Sequence, residues 1–169
     1  MRWKALCLLA ISLSATQSFA DSSHHFEDSP AKPIAPKALK YLLGGANDQI
    51  RAKFEFVRKG VQKPNFGGHY VFSSYGCGTG CTASGIVDLN TGVVYRAPFN
   101  EELSSDALEQ FGVKEAYRAD SNVFFFSNYR YIKPNSPDMS QENGVAVWNE
   151  SKKQFEIVEK RKPYKIEFE

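Results

Sequence analysis

Three residues in one short stretch carry side chains able to do chemistry: His69, Cys77 and Cys81. The first chemistry open to them is a disulfide. It needs Cα atoms about 4.4–6.8 Å apart, and Gly78-Thr79-Gly80 between the cysteines bends enough to allow this. A redox-active pair is the second. That motif is C-x-x-C at a helix N-terminus, whereas here the spacing is longer and the surroundings read as β. A zinc site is the third, with His69, Cys77 and Cys81 supplying fewer ligands than a structural zinc takes. A Cys–His nucleophile is the fourth, and it requires His69 to reach Cys77 in space. No G-x-S-x-G or H-E-x-x-H motif accompanies these residues.

The disulfide reading turns the loop itself into the candidate site. Gly76, Gly78 and Gly80 permit a tight reversal and leave backbone N–H and C=O groups facing outward. A ring this small stabilises the fold by only about 2 kcal/mol in the chain-entropy model, so its main effect is to hold one shape. The expected partner-facing residues are His69, Tyr75, Gly76, Gly78, Thr79 and Gly80, with Thr79 at the tip. Gly76 and Gly78 are expected to resist β-branched replacement. Outside that role, His69 reads as a half-buried strand histidine bonded to backbone. No cofactor and no metal is expected.

The elements that must position this loop are strands. His69 to Tyr75 is rich in aromatic and β-branched residues, and strand composition resumes at Ala83 to Asp88. Leu89-Asn90-Thr91-Gly92 reads as a turn and Val93 to Tyr95 as the returning strand. The result is a meander whose first connection carries both cysteines. A second, similar unit follows: Asn122 to Ile132, a Pro-containing loop, Gly144 to Trp148, a turn, and Lys153 to Glu159. The two copies begin roughly 54 residues apart, the scale of a propeller blade. Two blades cannot close a ring, so the expected fold is mainly β: an antiparallel meander, curved sheet or small sandwich with blade-like units. Tyr164 to Phe168 adds a last edge strand.

Two short helices are expected, over Lys37 to Leu43 and within Pro98 to Phe111, the latter capped by Ser104 or Ser105 and ended by Gly112. Ala46 to Ala52 reads as a further turn. Lys53 to Arg58 alternates apolar and charged residues and reads as a strand with one wet face. The run Phe124-Phe125-Phe126 with Tyr129 and Tyr131 has a strand period. Its outward face is either a recognition surface or is covered by helices.

Residues 1–20 read as a secretory signal. Arg2 and Lys4 form a basic start, the apolar segment is too short to span a bilayer, and Ser18-Phe19-Ala20 suits cleavage after Ala20. The expected destination is the oxidising periplasm, with no membrane anchor after cleavage. Cleavage removes Cys7, leaving Cys77 and Cys81, and removes Arg2 and Lys4, leaving as many basic residues as the 19 acidic ones. That balance argues against a nucleic-acid partner. Residues 21–36, polar with three prolines, read as a flexible leader, and residues 37–169 as one β-rich domain.

The pattern N-F-x-G-H-Y, then G-C-G-x-x-C, then D-x-x-T-G-x-V-Y, carried here by Asn65 to Tyr95, resembles a group of small, uncharacterised exported bacterial proteins. The resemblance covers about a fifth of the chain and implies no activity. Exported β-proteins with a rigid disulfide loop include inhibitors of lysozyme and immunity proteins against cell-wall amidases. By that architectural analogy the expected function is non-enzymatic binding of a protein partner, such as a cell-wall hydrolase. The alternative is a Cys/His-dependent enzyme or thiol-redox protein of the periplasm.

Overall fold

The computed structural model describes residues 22–44, 48–78, 81–133 and 138–166. The signal-like segment lies outside the described residues, as do Thr79 and Gly80. The described chain is mainly antiparallel β, with ten strands and two short helices. In order these are β1 (Lys37–Ala38), α1 (Asp48–Lys53), β2 (Val61–Gln62), β3 (Tyr70–Gly78), β4 (Cys81–Asp88) and β5 (Val94–Arg96). They are followed by β6 (Glu101–Glu102), α2 (Ser105–Glu109), β7 (Val123–Tyr131), β8 (Met139–Asn149), β9 (Gln154–Lys160) and β10 (Tyr164–Ile166).

Two meanders form the two sheets expected from the sequence. One is β3-β4-β5; the other is built on β7-β8-β9, extended by β6 and β10. β8 pairs with β7 along one edge, while its start pairs with β10 and its remainder with β9 along the other. The sheets face each other and bury Tyr70, Phe72 and Ile86 from the first against Phe124, Phe126, Trp148 and Phe155 from the second. Phe72 and Phe124 sit 4.5 Å apart by ring centroid, and Tyr70 and Trp148 5.1 Å. The fold is therefore an open sandwich.

The outer faces are covered too. Side chains alternate along a strand, so Val71 and Val87 point away from the central core, as does Phe125. Val71, Val87, Leu89 and Val94 pack under Phe54 and Val57. Phe125, Val123 and Val145 pack under Phe26, Ala107 and Phe111. Strands buried on both faces lose the apolar–polar alternation and read as continuous apolar runs, which explains Phe124-Phe125-Phe126. The recognition-surface alternative is thereby removed for the three phenylalanines, which are fully buried, while Tyr131 at the end of the strand is exposed.

Three segments differ from their sequence reading. Residues 22–36 are docked rather than loose: Phe26 meets Phe125 edge-on at 5.4 Å, and the Ile34 N–H donates to the Gly68 carbonyl at 2.8 Å. One buried aromatic and several backbone bonds outweigh a polar, proline-rich composition. Lys37 to Leu43 is not helical. Lys37 and Ala38 pair with Gln62 and Val61, and the Leu43 N–H donates to the Gly92 carbonyl at 2.8 Å. So short a helix gains little from its own hydrogen bonds, and neighbouring backbone offers better partners. Lys53 to Arg58 is not a strand. Glu55–Arg58 is a 3-10 turn that buries Phe54 and Val57 and leaves Phe56 exposed. The apolar period there is three, and the alternation in the sequence was misleading. The second helix lies where expected, with Ser104 at its N-cap position, although the Ser104 side chain makes no capping hydrogen bond.

Candidate functional site: a disulfide-closed arm and the cleft beside it

β3 and β4 pair without interruption from Tyr70–Asp88 to Gly76–Thr82, after which the register shifts between Gly76 and Gly78. The hairpin outruns the core. Along β3, Tyr70, Val71 and Phe72 are buried, Ser73 to Tyr75 half-buried, and Gly76 to Gly78 exposed. The shift inserts one extra residue, and Gly78 takes a positive φ of 143° to accommodate it. Gly76 has ordinary backbone angles for a strand and open space where a Cβ would stand, so the expected resistance to substitution applies to Gly78 alone. The Cys77–Cys81 disulfide closes the end, with Cα atoms 5.1 Å apart. The arm thus projects from the sandwich with its end covalently held.

A cleft of about 730 Å³ lies between this arm and α1. Its walls are Gln49, Ile50, Ala52 and Lys53 of α1, and Tyr75 to Gly78, Cys81, Ala83 and Arg96 of the sheet. Register explains the convergence. Tyr75 pairs with Ala83 and Gly85 pairs with Arg96, so Tyr75, Ala83 and Arg96 share one face of the sheet. Tyr75 packs edge-on against Phe54 at 5.8 Å. Burial pushes the Tyr75 hydroxyl above its ordinary pKa, partly offset by the nearby Arg96 charge. The charged side chains lining the cleft, Lys53 and Arg96, are both cations.

His69 is not part of this site. β3 separates it from Cys77 by a distance on the order of 25 Å at the usual rise per residue. The structure therefore assembles no Cys–His pair, and no His–Cys–Cys set. Among the described residues no cluster of three or more His, Cys, Asp or Glu is arranged to hold a metal. His69 sits instead at the opposite end of the hairpin. Its Nε2 lies 3.7 Å from both Asp88 and Glu150, and its ring lies on Tyr70 at 4.2 Å. The sequence reading gave it a backbone partner; its neighbours are carboxylates and an aromatic ring.

That end of the molecule is a polar latch. Glu150, in the β8–β9 turn, accepts hydrogen bonds from the Tyr70 hydroxyl at 2.7 Å, from Trp148 Nε1 at 2.8 Å, and from Lys153. Burial and then the Glu150 bond drive the Tyr70 hydroxyl well above its ordinary range. Asp88 is committed to its own turn, accepting from the Asn90 N–H at 2.7 Å and the Thr91 hydroxyl at 2.8 Å. These groups bind each other, and none of them lines the cleft.

Of the expected site residues, Tyr75, Gly76, Gly78, Cys77 and Cys81 come together at the cleft, and His69 does not. Lys53 and Arg96 were missed from the sequence. The one available signal was strand parity, which places Arg96 across β4 from Tyr75 once the hairpin registers are drawn. No protein-family model matches this chain, and comparison with curated proteins and with solved structures finds no match.

Proposed function

We propose that this chain is an exported, non-enzymatic binding protein of the periplasm that grips a protein partner, such as a cell-wall hydrolase, with the Cys77–Cys81 arm and the cleft beside it. The observation that carries this reading is the projecting hairpin whose end is closed by a disulfide while its base forms one wall of a cleft of about 730 Å³. A surface already held in one shape loses little conformational freedom on binding, and that lowers the cost of association. The cleft is within the size range of ligand sites and mixes an aromatic floor with a few polar groups. The cysteines are consumed in the disulfide, which leaves the arm a shape to present rather than a nucleophile to use.

The test adds the protein to a muramidase and to a cell-wall amidase acting on purified peptidoglycan. The wild type is expected to slow one of the two, and the Cys77→Ser, Cys81→Ser double variant to do so with much weaker affinity at a slightly lower melting temperature. The reading fails if neither enzyme is slowed and the immobilised protein captures the same periplasmic proteins with or without the cysteines.

A further inference from the structure

We propose that the cleft between α1 and the β3–β4 arm takes an acidic peptide segment, with Arg96 and Lys53 pairing its carboxylates and Tyr75 forming the floor beneath it. This rests on the binding reading above and names the chemistry of the partner.

Charge is the first ground. Among the described residues neither Asp nor Glu lines the cleft, while Arg96 and Lys53 do. Both cations are exposed. Some basic side chains elsewhere on the fold are answered by a carboxylate: Arg58 by Glu55 at 2.9 Å, Arg118 by Asp120 at 2.7 Å, Lys152 by Glu156 at 2.7 Å and Lys165 by Asp138 at 3.1 Å. Among the described residues Arg96 and Lys53 have no such pairing. The acid nearest in sequence on α1, Asp48, is engaged by Arg51 and so does not neutralise Lys53. Cations gathered in one cleft without a counter-charge raise the local concentration of anions there.

Shape is the second ground. Arg96 reaches the cleft from β5 and Lys53 from the end of α1, and Tyr75, Ile50 and Ala52 line it with them, giving an aromatic and aliphatic surface beside the charges. That arrangement suits carboxylates carried on a chain with small apolar neighbours. At Gly76 and Gly78 a Cβ would meet nothing within 4 Å, which leaves room for an incoming backbone along the arm. A polyanion such as nucleic acid fits poorly, because the chain beyond residue 20 has no excess of basic residues to follow a phosphate backbone. A guanidinium also matches a carboxylate with two parallel hydrogen bonds, giving geometry as well as charge.

The experiment measures fluorescence anisotropy of a short labelled peptide of alternating Glu and Gly, beside a Gln–Gly peptide and inorganic polyphosphate. The Glu peptide is expected to bind, weakening as salt rises, and the Gln peptide to bind at least about tenfold more weakly. Arg96→Gln with Lys53→Gln should remove the preference, while Lys32→Gln with Lys162→Gln, which do not line the cleft, should leave it. Arg96→Glu with Lys53→Glu should transfer binding to a Lys–Gly peptide, and thermal melts confirm that each variant is folded. The proposal is overturned if the Gln peptide binds equally, if the control pair weakens binding as much as the cleft pair, or if polyphosphate binds at the cleft and the Glu peptide does not. In any of these cases a hydrolase still inhibited through the arm leaves the binding function standing and removes only the acidic segment.

Discussion

The Tyr70 hydroxyl donates a 2.7 Å hydrogen bond to the Glu150 carboxylate, joining the first strand of one sheet to the β8–β9 turn of the other. Burial alone would raise the Glu150 carboxyl, but the bonds from Lys153, Tyr70 and Trp148, with the Lys153 charge, hold it below its ordinary range. A carboxyl lowered in the folded state stabilises that state above the unfolded pKa, near 4.3, and the contribution is lost as pH falls through the folded value. The urea midpoint should therefore drop as pH is lowered through about 4.3 and below. Glu150→Gln should start lower at neutral pH and show a shallower fall. A variant with the full wild-type acid sensitivity would show that other carboxylates dominate.

The docked leader is the second point open to measurement. Phe26 is buried against Phe125, and the Arg118 guanidinium lies over its ring, 5.1 Å from the centroid. Phe26→Ala should cost about 3 kcal/mol by denaturant titration, the usual loss for a truncated core phenylalanine. Trimming residues 22–36 should lower the melting temperature further, because it also removes the bonds from Ala31 to Asp120 and from Ile34 to Gly68. An unchanged melt after trimming would mean that the leader only rests on the sheet.

The two arm glycines should separate cleanly. Gly78 holds a φ of 143°, a region other residues rarely enter, whereas a Cβ at Gly76 meets nothing within 4 Å. Gly78→Val should cost about 1–3 kcal/mol and Gly76→Val much less. Equal losses in chemical denaturation would place the strain elsewhere in the arm.

Asn100 joins the two sheets beside the disulfide-closed end of the arm, at the residue next to Cys81. Its amide donates to the Thr82 carbonyl at 2.8 Å, and its side-chain oxygen accepts from the Tyr129 N–H at 2.6 Å. Asn100→Ala leaves two backbone groups without these partners, so a loss of about 1–3 kcal/mol is expected. Faster amide exchange should follow at Tyr129, whose N–H loses its acceptor. Exchange unchanged at that position would show that water or a neighbour replaces the Asn100 side chain.

Much of the scaffold was legible because its signals are local. The strand compositions around His69 to Tyr75, Ala83 to Asp88 and Asn122 to Ile132, the turn at Leu89 to Gly92 and two cysteines separated by a glycine-rich bridge each need only a few consecutive residues, and each appears in the structure as read, whereas the alternation over Lys53 to Arg58 does not. Even the separation of His69 from Cys77 was implicit, since a strand from His69 to Tyr75 already carries the histidine away from the loop. Tertiary structure decided the rest. Leu43 and Ile34 follow backbone partners far along the chain, at Gly92 and Gly68, and those partners override what short segments prefer alone. Phe26 covers Phe125 only because the chain returns to the outer face of β7. Lys53 and Arg96, unremarkable in the sequence, become neighbours of one cleft because α1 packs beside β5 and strand register turns Arg96 toward Tyr75. Local patterns set which strands form, and only long-range pairing sets which side chains meet.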